Sequence, residues 1–307
     1  MRLITGAEPL PEPLRGAAFA LGVMDGVHAG HQAVLESARQ AARARNAPLA
    51  AAVFEPHPRH FFQPDSTPFR LQTSAQRAAA FAALGVDAVV EMTFDAGLAH
   101  MPHEAFARDI LAGRLGAKHV SVGFDFHFGL GRAGNHATLA ADGAALGFSV
   151  STVEAVLQDG LKISSTAIRR LLAEGKPREA ATLLTRPWAI EGEVITGAQR
   201  GRTINFPTAN IALGVYQRPL FGVYAVQAEL GGRAVAGVAN CGMKPTVGSV
   251  APLLEAHFFD FDGDLYGRRI EVQFIDFIRA ERKFESFEAL KAQIEADAQT
   301  ARRLLGF

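Results

Sequence analysis

The sequence predicts an α/β protein in which a doubly wound parallel sheet is followed by a small antiparallel β-barrel with a terminal helix. Two observations lead to this fold class. Over residues 1–185, short apolar runs alternate with amphipathic helical segments, which is typical of a parallel sheet covered by helices on both faces. Over residues 186–307, runs rich in β-branched and aromatic residues follow one another without intervening helices, which indicates an antiparallel barrel.

Short apolar runs in the N-terminal part have the length of buried strands. The predicted strands are Ala17–Val23, Leu49–Phe54, Ala88–Met92, His119–Gly123 and Phe148–Val153. Helices are predicted between them, at Gln32–Arg45, Thr73–Leu84, His103–Leu115 and Asn135–Leu146. Ligands of such sheets bind beyond the carboxyl ends of the strands, so the residues that directly follow these runs are candidates for a binding crevice.

A domain boundary is predicted at Thr185–Trp188, because Pro187 interrupts a helical pattern. Two short helices precede this boundary, Ser165–Ala173 and Arg178–Leu184. The strands predicted after it are Ile190–Ile195, Val223–Leu230, Ala234–Ala239, Leu254–Phe261 and Ile270–Phe277. A final helix at Ser286–Leu305 carries an apolar stripe from Phe287 to Leu305, which predicts that it seals the barrel. The predicted domains are residues 1–185 and 186–307.

Composition limits the kinds of function. The 307 residues contain 31 Lys plus Arg and 31 Asp plus Glu, and this balance predicts neither a nucleic-acid nor a membrane partner. Cys241 is the single cysteine, which excludes an internal disulfide and a thiolate-rich metal site. The N-terminus lacks the apolar core of a signal peptide, and no window approaches the roughly 18 apolar residues of a membrane span. We therefore expect a cytoplasmic protein.

Two histidines stand in the predicted turn between the first strand and the first helix. Backbone N–H groups at such a turn lack helical partners, and the helix dipole favours anions there. His28 and His31 could therefore hold the phosphates of a nucleotide, while Gly26 and Gly30 let the backbone approach them closely. Metal ligation is a competing interpretation, supported by the spacing of His57/His60 and His100/His103 but lacking nearby cysteines or paired carboxylates.

A second candidate element lies at the start of the predicted helix Ser165–Ala173. Hydroxyls of Ser164, Ser165 and Thr166 can cap this helix and donate to phosphate oxygens. Lys162 and Arg169 add positive charge for a leaving pyrophosphate. A simple capped helix with solvated basic residues explains this segment, taken alone, equally well.

Four N-terminal motifs together resemble the FAD synthetase module of bacterial bifunctional riboflavin kinase/FAD synthetases. They are Gly22-x-x-Asp-Gly-Val-His-x-Gly-His31, Phe54-Glu-Pro-His-Pro58, Gly123-x-Asp-Phe-x-Phe-Gly129 and Ile163-Ser-Ser-Thr-x-Ile-Arg169. The resemblance implies that His28 and His31 act in catalysis and that ATP also contacts Gly22, Asp25, Gly30, Lys162, Ser164, Ser165, Thr166 and Arg169. It implies flavin contacts by Phe54, Pro56, His57, Pro58, Phe62, Asp125 and Phe126. Met24 stands where this family usually has Phe, and it preserves an apolar side chain of similar bulk.

The segment from Gly197 to Asn210 is the C-terminal candidate for nucleotide binding. Gly197 permits a tight loop, Arg202 brings charge, and Thr208 and Asn210 offer oxygen atoms that suit Mg²⁺. The segment is not a Walker A loop, because it lacks the Gly-Lys-Ser/Thr sequence. From these residues alone, a capped turn between strands is the favoured interpretation.

The C-terminal part resembles the riboflavin kinase module of the same family. The matching motifs are Pro207-Thr-Ala-Asn210, Gly222-Val-Tyr-Ala, Gly237-Val-Ala-Asn240, Asp264-Leu-Tyr-Gly267, Phe277-Ile-Arg279 and Glu281-Arg-Lys-Phe284. The resemblance implies that Glu255 is the catalytic base, that Arg279 contacts the flavin, and that Thr208 and Asn210 place Mg²⁺–ATP. Two departures stand out, Asn205 in place of the usual Gly and Lys244 in place of the usual Arg.

The resemblance therefore implies two reactions, phosphorylation of riboflavin to FMN and adenylylation of FMN to FAD. ATP is expected as co-substrate and Mg²⁺ as cofactor, with no tightly bound prosthetic group. Riboflavin, FMN, ATP and FAD are the expected ligands, and a monomer or weak homo-oligomer is expected. Three alternatives stay open: a flavin-binding sensor or carrier, an adenylyltransferase for a non-flavin phosphate substrate, and an RNA-handling enzyme, which the absence of excess basic charge makes remote.

Overall fold

The structure, a computed structural model, describes residues 1–6, 10–196, 206–246 and 249–306. The chain packs as two compact units. The first comprises Met1–Thr67 and Ser74–Ser164, and the second comprises Pro68–Thr73 and Ser165–Phe307. Within the second unit, the indole of Trp188 donates to the carbonyl of Leu71 at 2.8 Å, which fixes the short upstream segment. The domain boundary between residues 185 and 186 stays a prediction.

A parallel sheet forms the centre of the first unit. The strands of the first unit are, in chain order, β1 (Arg2–Thr5), β2 (Ala18–Leu21), β3 (Leu49–Glu55), β4 (Ala88–Thr93), β5 (His119–Gly123), β6 (His127–Phe128), β7 (Gly134–Asn135), β8 (Ser149–Val153), β9 (Leu157–Gln158) and β10 (Leu161–Lys162). The pairs β6-β7 and β9-β10 form separate two-stranded sheets. The other six lie side by side in the order β1-β4-β3-β2-β5-β8. Every neighbouring pair in this sheet is parallel, which confirms the predicted architecture.

Helices cover both faces of this sheet. They are α1 (Ala29–Arg45), α2 (Pro58–Phe62), α3 (Ser74–Ala83), α4 (Ala96–Ala99), α5 (His103–Ala105) with a following π-helix (Phe106–Arg114), and α6 (His136–Leu146). Successive strand residues point to opposite faces, so Ala20 packs with Leu35 of α1 while Leu21 packs with Leu111 of the π-helix. The predicted doubly wound arrangement is therefore confirmed.

An antiparallel sheet of the second unit curls towards a barrel. Its strands are β11 (Trp188–Glu193), β12 (Ala209–Ala212), β13 (Gly222–Leu230), β14 (Arg233–Thr246), β15 (Ser249–Phe258) and β16 (Arg269–Ala280). They lie in the order β11-β16-β13-β14-β15-β12. The two edges meet where Ile195 N donates to Asn210 O at 2.9 Å. This contact produces the near-barrel that the sequence predicts.

The second unit also contains α7 (Ser165–Ala173), α8 (Pro177–Leu184) and α9 (Phe287–Leu305). Ala298 and Ala301 of α9 are buried in one cluster with Val223 of β13 and Phe259, which follows β15. The stripe predicted for this helix is wrong at its first turn, where Phe287 is 53% exposed, and it is confirmed towards the C-terminal end. No helix in the described part of the chain combines the length and apolarity needed to cross a membrane.

Candidate functional site

The two motif histidines lie in a strained turn between β2 and α1. Met24, Gly26 and Val27 have φ values of 51°, 94° and 42°, a region that β-branched residues such as valine rarely adopt. His28 is the N-cap of α1, and its Nδ1 accepts a hydrogen bond from His31 N at 3.4 Å. The two imidazole rings stack with centroids 3.6 Å apart. Backbone strain at one turn is typical of a functional site.

Small and buried residues hold this turn in place. His28 and Asp25 are buried, with 5% and 2% of their surface exposed. A Cβ added to Gly30 would lie 3.1 Å from His28 Cε1, so only glycine leaves this ring its observed position. Gly22 begins the turn, and its N donates to Ala52 O of β3 at 3.1 Å. The geometry thus brings together the predicted residues of this motif.

The predicted flavin residues after β3 occupy two different environments. Phe54 is buried and packs edge-on against Phe94 at 5.8 Å, so its ring belongs to the core. Phe62 is 64% exposed and also contacts Phe94, at 5.8 Å. Between them, His57 caps α2 by accepting from Arg59 N at 3.0 Å. Pro58 supplies the first residue of that short helix, and the Glu55–Pro56 peptide is cis.

Asp125 and Lys162 form an ion pair that the sequence does not predict. Lys162 Nζ lies 2.5 Å from Asp125 Oδ2 and 4.6 Å from the centre of the Phe124 ring. Next along the chain, the rings of Phe126 and Phe128 stack with centroids 5.5 Å apart. A residue expected near the flavin and one expected near ATP phosphates therefore meet directly in the first unit.

The predicted hydroxyl segment spans the division between the units. Ser164 is the last residue of the first unit, while Ser165 begins α7 in the second. Arg169 Nε donates to Phe69 O at 2.7 Å, and the guanidinium lies 5.5 Å from the Phe69 ring centre. The ATP contacts of Ser164, Ser165, Thr166 and Arg169 stay predictions.

Glu255 lies in a row of polar residues across three neighbouring strands. In register, Asn210 of β12 pairs with Glu255 of β15, which pairs on its other side with Asn240 of β14. Asn210 is buried, and its Nδ2 donates to Thr208 O at 3.2 Å. The structure therefore brings Thr208, Asn210 and Glu255 to one place on the sheet.

A basic and a second acidic side chain complete this row. Lys244 Nζ lies 3.3 Å from Glu255 Oε2 and 3.7 Å from Glu281 Oε1. The amide of Asn240 fits best with its oxygen 2.5 Å from Lys244 Nζ. A Cβ on Gly242 would collide with the Glu281 carboxylate, so glycine makes room for it. The contact of Glu281 with Lys244 was not predicted from the sequence, because only folding brings the two side chains together.

His257 positions the segment before β12. Its Nδ1 lies 2.9 Å from Pro207 O, and its ring packs 4.7 Å from that of Phe206. Burial lowers the pKa of His257 below its usual 6.5, and the Pro207 carbonyl opposes this effect. At neutral pH a neutral ring therefore holds the start of the predicted Mg²⁺–ATP segment.

Arg279, a predicted flavin contact, is engaged by the terminal helix. Its Nε and Nη2 lie 3.0 and 2.7 Å from the carboxylate of Asp297, which is buried on α9. Gln293 Nε2 donates to the same carboxylate at 2.7 Å. The other predicted residues Gly197 and Arg202 lie outside the described residues. Among the described residues, no group of three or more His, Cys, Asp or Glu side chains could hold a metal ion.

Two family models match the chain in succession. Residues 10–167 match the FAD synthetase model, and residues 184–305 match the riboflavin kinase model. The chain belongs to the bifunctional riboflavin kinase/FAD synthetase family. A relative from Escherichia coli K12, named a bifunctional riboflavin kinase/FMN adenylyltransferase, is 41% identical over 100% of this chain and 98% of its own length. A relative of the same name from Bacillus subtilis is 38% identical over 93% of this chain and 91% of its own.

The family assignment agrees with the fold. A crystal structure from Streptococcus pneumoniae has a TM-score of 0.86 at 30% identity and covers 98% of this chain and 99% of its own. That protein is described as a macrolide-efflux protein, which names a different activity from the two family models. The predicted enzyme activities, riboflavin kinase and FMN adenylyltransferase, are confirmed by the family models and relatives, whereas the sensor and non-flavin alternatives gain no support.

Proposed function

We propose that the two units of this bifunctional enzyme catalyse two successive reactions, a phosphoryl transfer and an adenylyl transfer. The second unit phosphorylates riboflavin to FMN, and the first converts FMN to FAD with release of pyrophosphate. One observation carries this division. The histidine turn lies in the first compact unit, while the Asn210–Glu255–Asn240 row lies in the second.

In the kinase reaction, Glu255 acts as general base. The 5′-hydroxyl of riboflavin must lose its proton while its oxygen attacks the γ-phosphorus of ATP. The proton passes to the carboxylate, the bond between the γ-phosphorus and the bridging oxygen breaks, and ADP leaves. Glu255 is half-buried and contacts Lys244, so its carboxylate is oriented by an ion pair but remains accessible from solvent.

Thr208 and Asn210 suit a magnesium ion in this site. A hydroxyl and a side-chain amide are oxygen ligands, the kind that Mg²⁺ prefers, and the ion usually keeps several waters and binds the nucleotide phosphates. The amide nitrogen of Asn210 donates to Thr208 O, and its amide oxygen is the atom that can coordinate Mg²⁺. When bound, Mg²⁺ would neutralise charge that develops on the phosphates.

In the adenylyl transfer, His28 and His31 stabilise charge on the phosphates. An oxygen of the FMN phosphate attacks the α-phosphorus of ATP, and the bond to the bridging oxygen of pyrophosphate breaks. No general base is needed, because the second pKa of a phosphomonoester is about 6, so the FMN phosphate is largely ionised at neutral pH. Because His28 Nδ1 accepts from His31 N, a neutral His28 carries its proton on Nε2 and can donate it to a phosphate oxygen.

Flavin binding in the first unit is assigned to the loops that follow β3 and β5. Phe62 and Phe126 have rings that are not fully buried and can stack on an isoalloxazine, whereas Phe54 supports them from the core. Pro56, His57 and Pro58 shape the first loop, and Asp125 stands in the second. Gly22, Asp25 and Gly30 shape the ATP turn, and Lys162 and Ser164 of the same unit receive the leaving pyrophosphate.

The remaining ligands and the setting follow from these reactions. ATP and Mg²⁺ serve both sites, and no tightly bound prosthetic group is required. Neither nucleic acid nor membrane takes part in either step. A monomer or weak homo-oligomer that works in the cytoplasm stays our prediction.

Product analysis with ATP labelled at the α or γ phosphate tests both assignments. Starting from riboflavin, we expect γ label in FMN, which FAD retains, and α label in FAD alone. Glu255→Gln should abolish FMN formation yet leave FAD synthesis from supplied FMN, while the matched control Glu229→Gln, another glutamate of the same sheet, should behave like the unchanged enzyme. Loss of both activities in Glu255→Gln would contradict two separate sites.

The histidine turn is tested by the reverse pattern. We expect His28→Ala with His31→Ala to lose FAD formation by roughly 10²-fold or more, because each removes a contact to developing charge. Riboflavin phosphorylation should persist. His100→Ala is the matched control, since its exposed ring contacts only the Ala96 carbonyl among the hydrogen bonds described for it. Full FAD synthesis by the double variant would reject the assignment.

A further inference from the structure

A buried arginine lies where the binding loops of the first unit begin, and the reactions above make no use of it. Arg77 of α3 is completely buried. Its Nη2 lies 2.8 Å from Glu55 Oε2 and 2.7 Å from Glu91 Oε1. Ser74 Oγ also donates to Glu91. A buried charge is costly unless it is paired, and these two carboxylates explain how the guanidinium is accommodated.

The same guanidinium also contacts the backbone at two strand ends. Arg77 Nη1 lies 3.5 Å from Val23 O and 3.5 Å from Phe54 O. Val23 immediately precedes the strained turn that leads to His28. Phe54 immediately precedes Glu55 and the loop of residues 56–62. One side chain therefore contacts the backbone at the entry to both the histidine turn and the predicted flavin loop.

We propose that Arg77 is a positioning residue for adenylyl transfer. Its planar fork fixes the starts of both loops relative to each other, so that the FMN phosphate and the α-phosphorus of ATP meet in line. A displacement of about 1 Å can cost roughly 10²-fold in rate, so a residue that touches neither substrate can still control the reaction. The inference rests on the proposed function of the first unit.

Variants of Arg77 should distinguish a role in positioning the loops from a role in fold stability alone. We expect Arg77→Met to lower kcat for FAD formation from FMN by roughly 10²-fold per folded molecule. Riboflavin phosphorylation by the same protein should change by less than about twofold, since its residues lie in the second unit. Arg77→Lys should recover part of the loss, because an ammonium pairs with the carboxylates but lacks the fork that reaches both carbonyls.

Arg39→Met is the matched control. Arg39 is another arginine of the first unit, partly buried, and it donates to Glu36 at 3.0 Å and to Leu84 O at 2.6 Å. Leu84 precedes β4, so this contact lies near the amino ends of the parallel strands, whereas the loops follow their carboxyl ends. We expect Arg39→Met to lower the melting temperature without changing kcat or KM for either reaction.

The folded fraction at the assay temperature is measured by thermal unfolding. Because Arg77→Met removes the positive charge beside the buried Glu91 and the partly buried Glu55, the variant Arg77→Met/Glu55→Gln/Glu91→Gln, which removes the two negative charges as well, is assayed beside it. It should fold and remain slow. A purely structural Arg77 would lower the melting temperature and leave kcat and KM of the folded molecules unchanged.

Two results would overturn the inference. FAD formation by folded Arg77→Met or by the triple variant within about twofold of the unchanged enzyme would show that the fork does not position the loops. An equal loss in Arg39→Met would show a general stability effect. The unchanged enzyme tests the proposed function itself. If it makes no FAD from FMN and Mg-ATP, the proposed adenylyl transfer is wrong, and the positioning role of Arg77 is wrong with it.

Discussion

Gly30 shows at the scale of one residue how the absence of a side chain shapes a site. A Cβ there would lie 3.1 Å from Cε1 and 3.2 Å from Nδ1 of His28. Alanine would favour helix α1 by up to about 1 kcal/mol, yet it would push the His28 ring away. We expect Gly30→Ala to lower FAD formation at least roughly tenfold while the melting temperature does not fall.

Initial rates with FMN and Mg-ATP, together with a thermal melt, measure both effects of Gly30→Ala. Riboflavin phosphorylation by the same sample is the control, because Glu255 and its neighbours lie in the second unit. An unchanged rate of FAD formation would contradict the role given to the His28 ring.

Single residues also show where prediction from sequence succeeds and where it stops. His28 and His31 were predictable because their motif is contiguous and its turn is local. Arg77 was not, since its two carboxylates lie 22 and 14 positions away and only folding brings them together. The same holds for Lys244, whose partner Glu281 lies 37 positions away, just beyond the end of β16.

At the scale of elements, a buried histidine links β5 to β8 and predicts acid sensitivity. His119 Nδ1 lies 2.8 Å from Ser149 Oγ and Nε2 lies 3.0 Å from Ser121 Oγ. Burial, and secondarily the charge of Arg45, lowers the pKa of His119 from 6.5 to about 4. Between these pH values the unfolded chain binds the proton and the folded chain does not, so stability is present above pH 6.5 and is lost as pH falls.

This linkage makes up to about 3 kcal/mol of unfolding free energy depend on pH. We expect denaturant unfolding to show stability declining from pH 6.5 towards pH 4. His119→Gln should flatten that slope, although it lowers stability at pH 7 by disturbing the serine contacts. An identical slope in the variant would show that other groups cause the acid sensitivity.

A second element-scale prediction concerns the attachment of α9 to β16. Arg279 and the buried Asp297 form an ion pair through two nitrogen atoms of the guanidinium, and Gln293 Nε2 is a third donor to the carboxylate. Asp297→Ala leaves a partly buried cation without its partner, so we expect the unfolding free energy of the second unit to drop by about 3 kcal/mol. Riboflavin phosphorylation should fall with it at elevated temperature.

Thermal unfolding and FMN formation measured between 25 °C and the melting temperature test this attachment. Asp260→Asn is the control, because its ion pair with Arg302 is exposed and should contribute little. A melting temperature for Asp297→Ala equal to that of the control would show that the ion pair does not hold the helix.

The elements themselves were predictable where burial imposes a pattern. The interior strands β2 to β5 are apolar because both faces of a parallel sheet are covered. One strand of each six-stranded sheet was missed, and so were the two-residue strands β6, β7, β9 and β10. β1 lies mostly exposed at the sheet edge, and the four-residue β12 begins two residues after Pro207 and is recognisable only from its pairing with β15. The helix predicted at His103–Leu115 is instead largely a π-helix, since local periodicity does not distinguish i+4 from i+5 bonding.

At the scale of the whole molecule, the proposed assignment gives the two chemistries no residue in common. The histidine turn and the Glu255 row belong to different compact units, and FMN is the product of one and the substrate of the other. If FMN equilibrates with solvent between the steps, two differently inactivated molecules should together do what neither does alone.

We therefore expect a mixture of Glu255→Gln and His28→Ala/His31→Ala proteins to make FAD from riboflavin and Mg-ATP. Each protein alone should not, since the first supplies no FMN and the second cannot adenylylate it. FAD should appear after a lag that shortens as the histidine variant is increased, because FMN must first accumulate to its KM at the other protein. Chromatography of timed samples separates the three flavins. A mixture that accumulates FMN without FAD, although Glu255→Gln converts the same concentration of supplied FMN, would show that newly made FMN does not exchange between molecules.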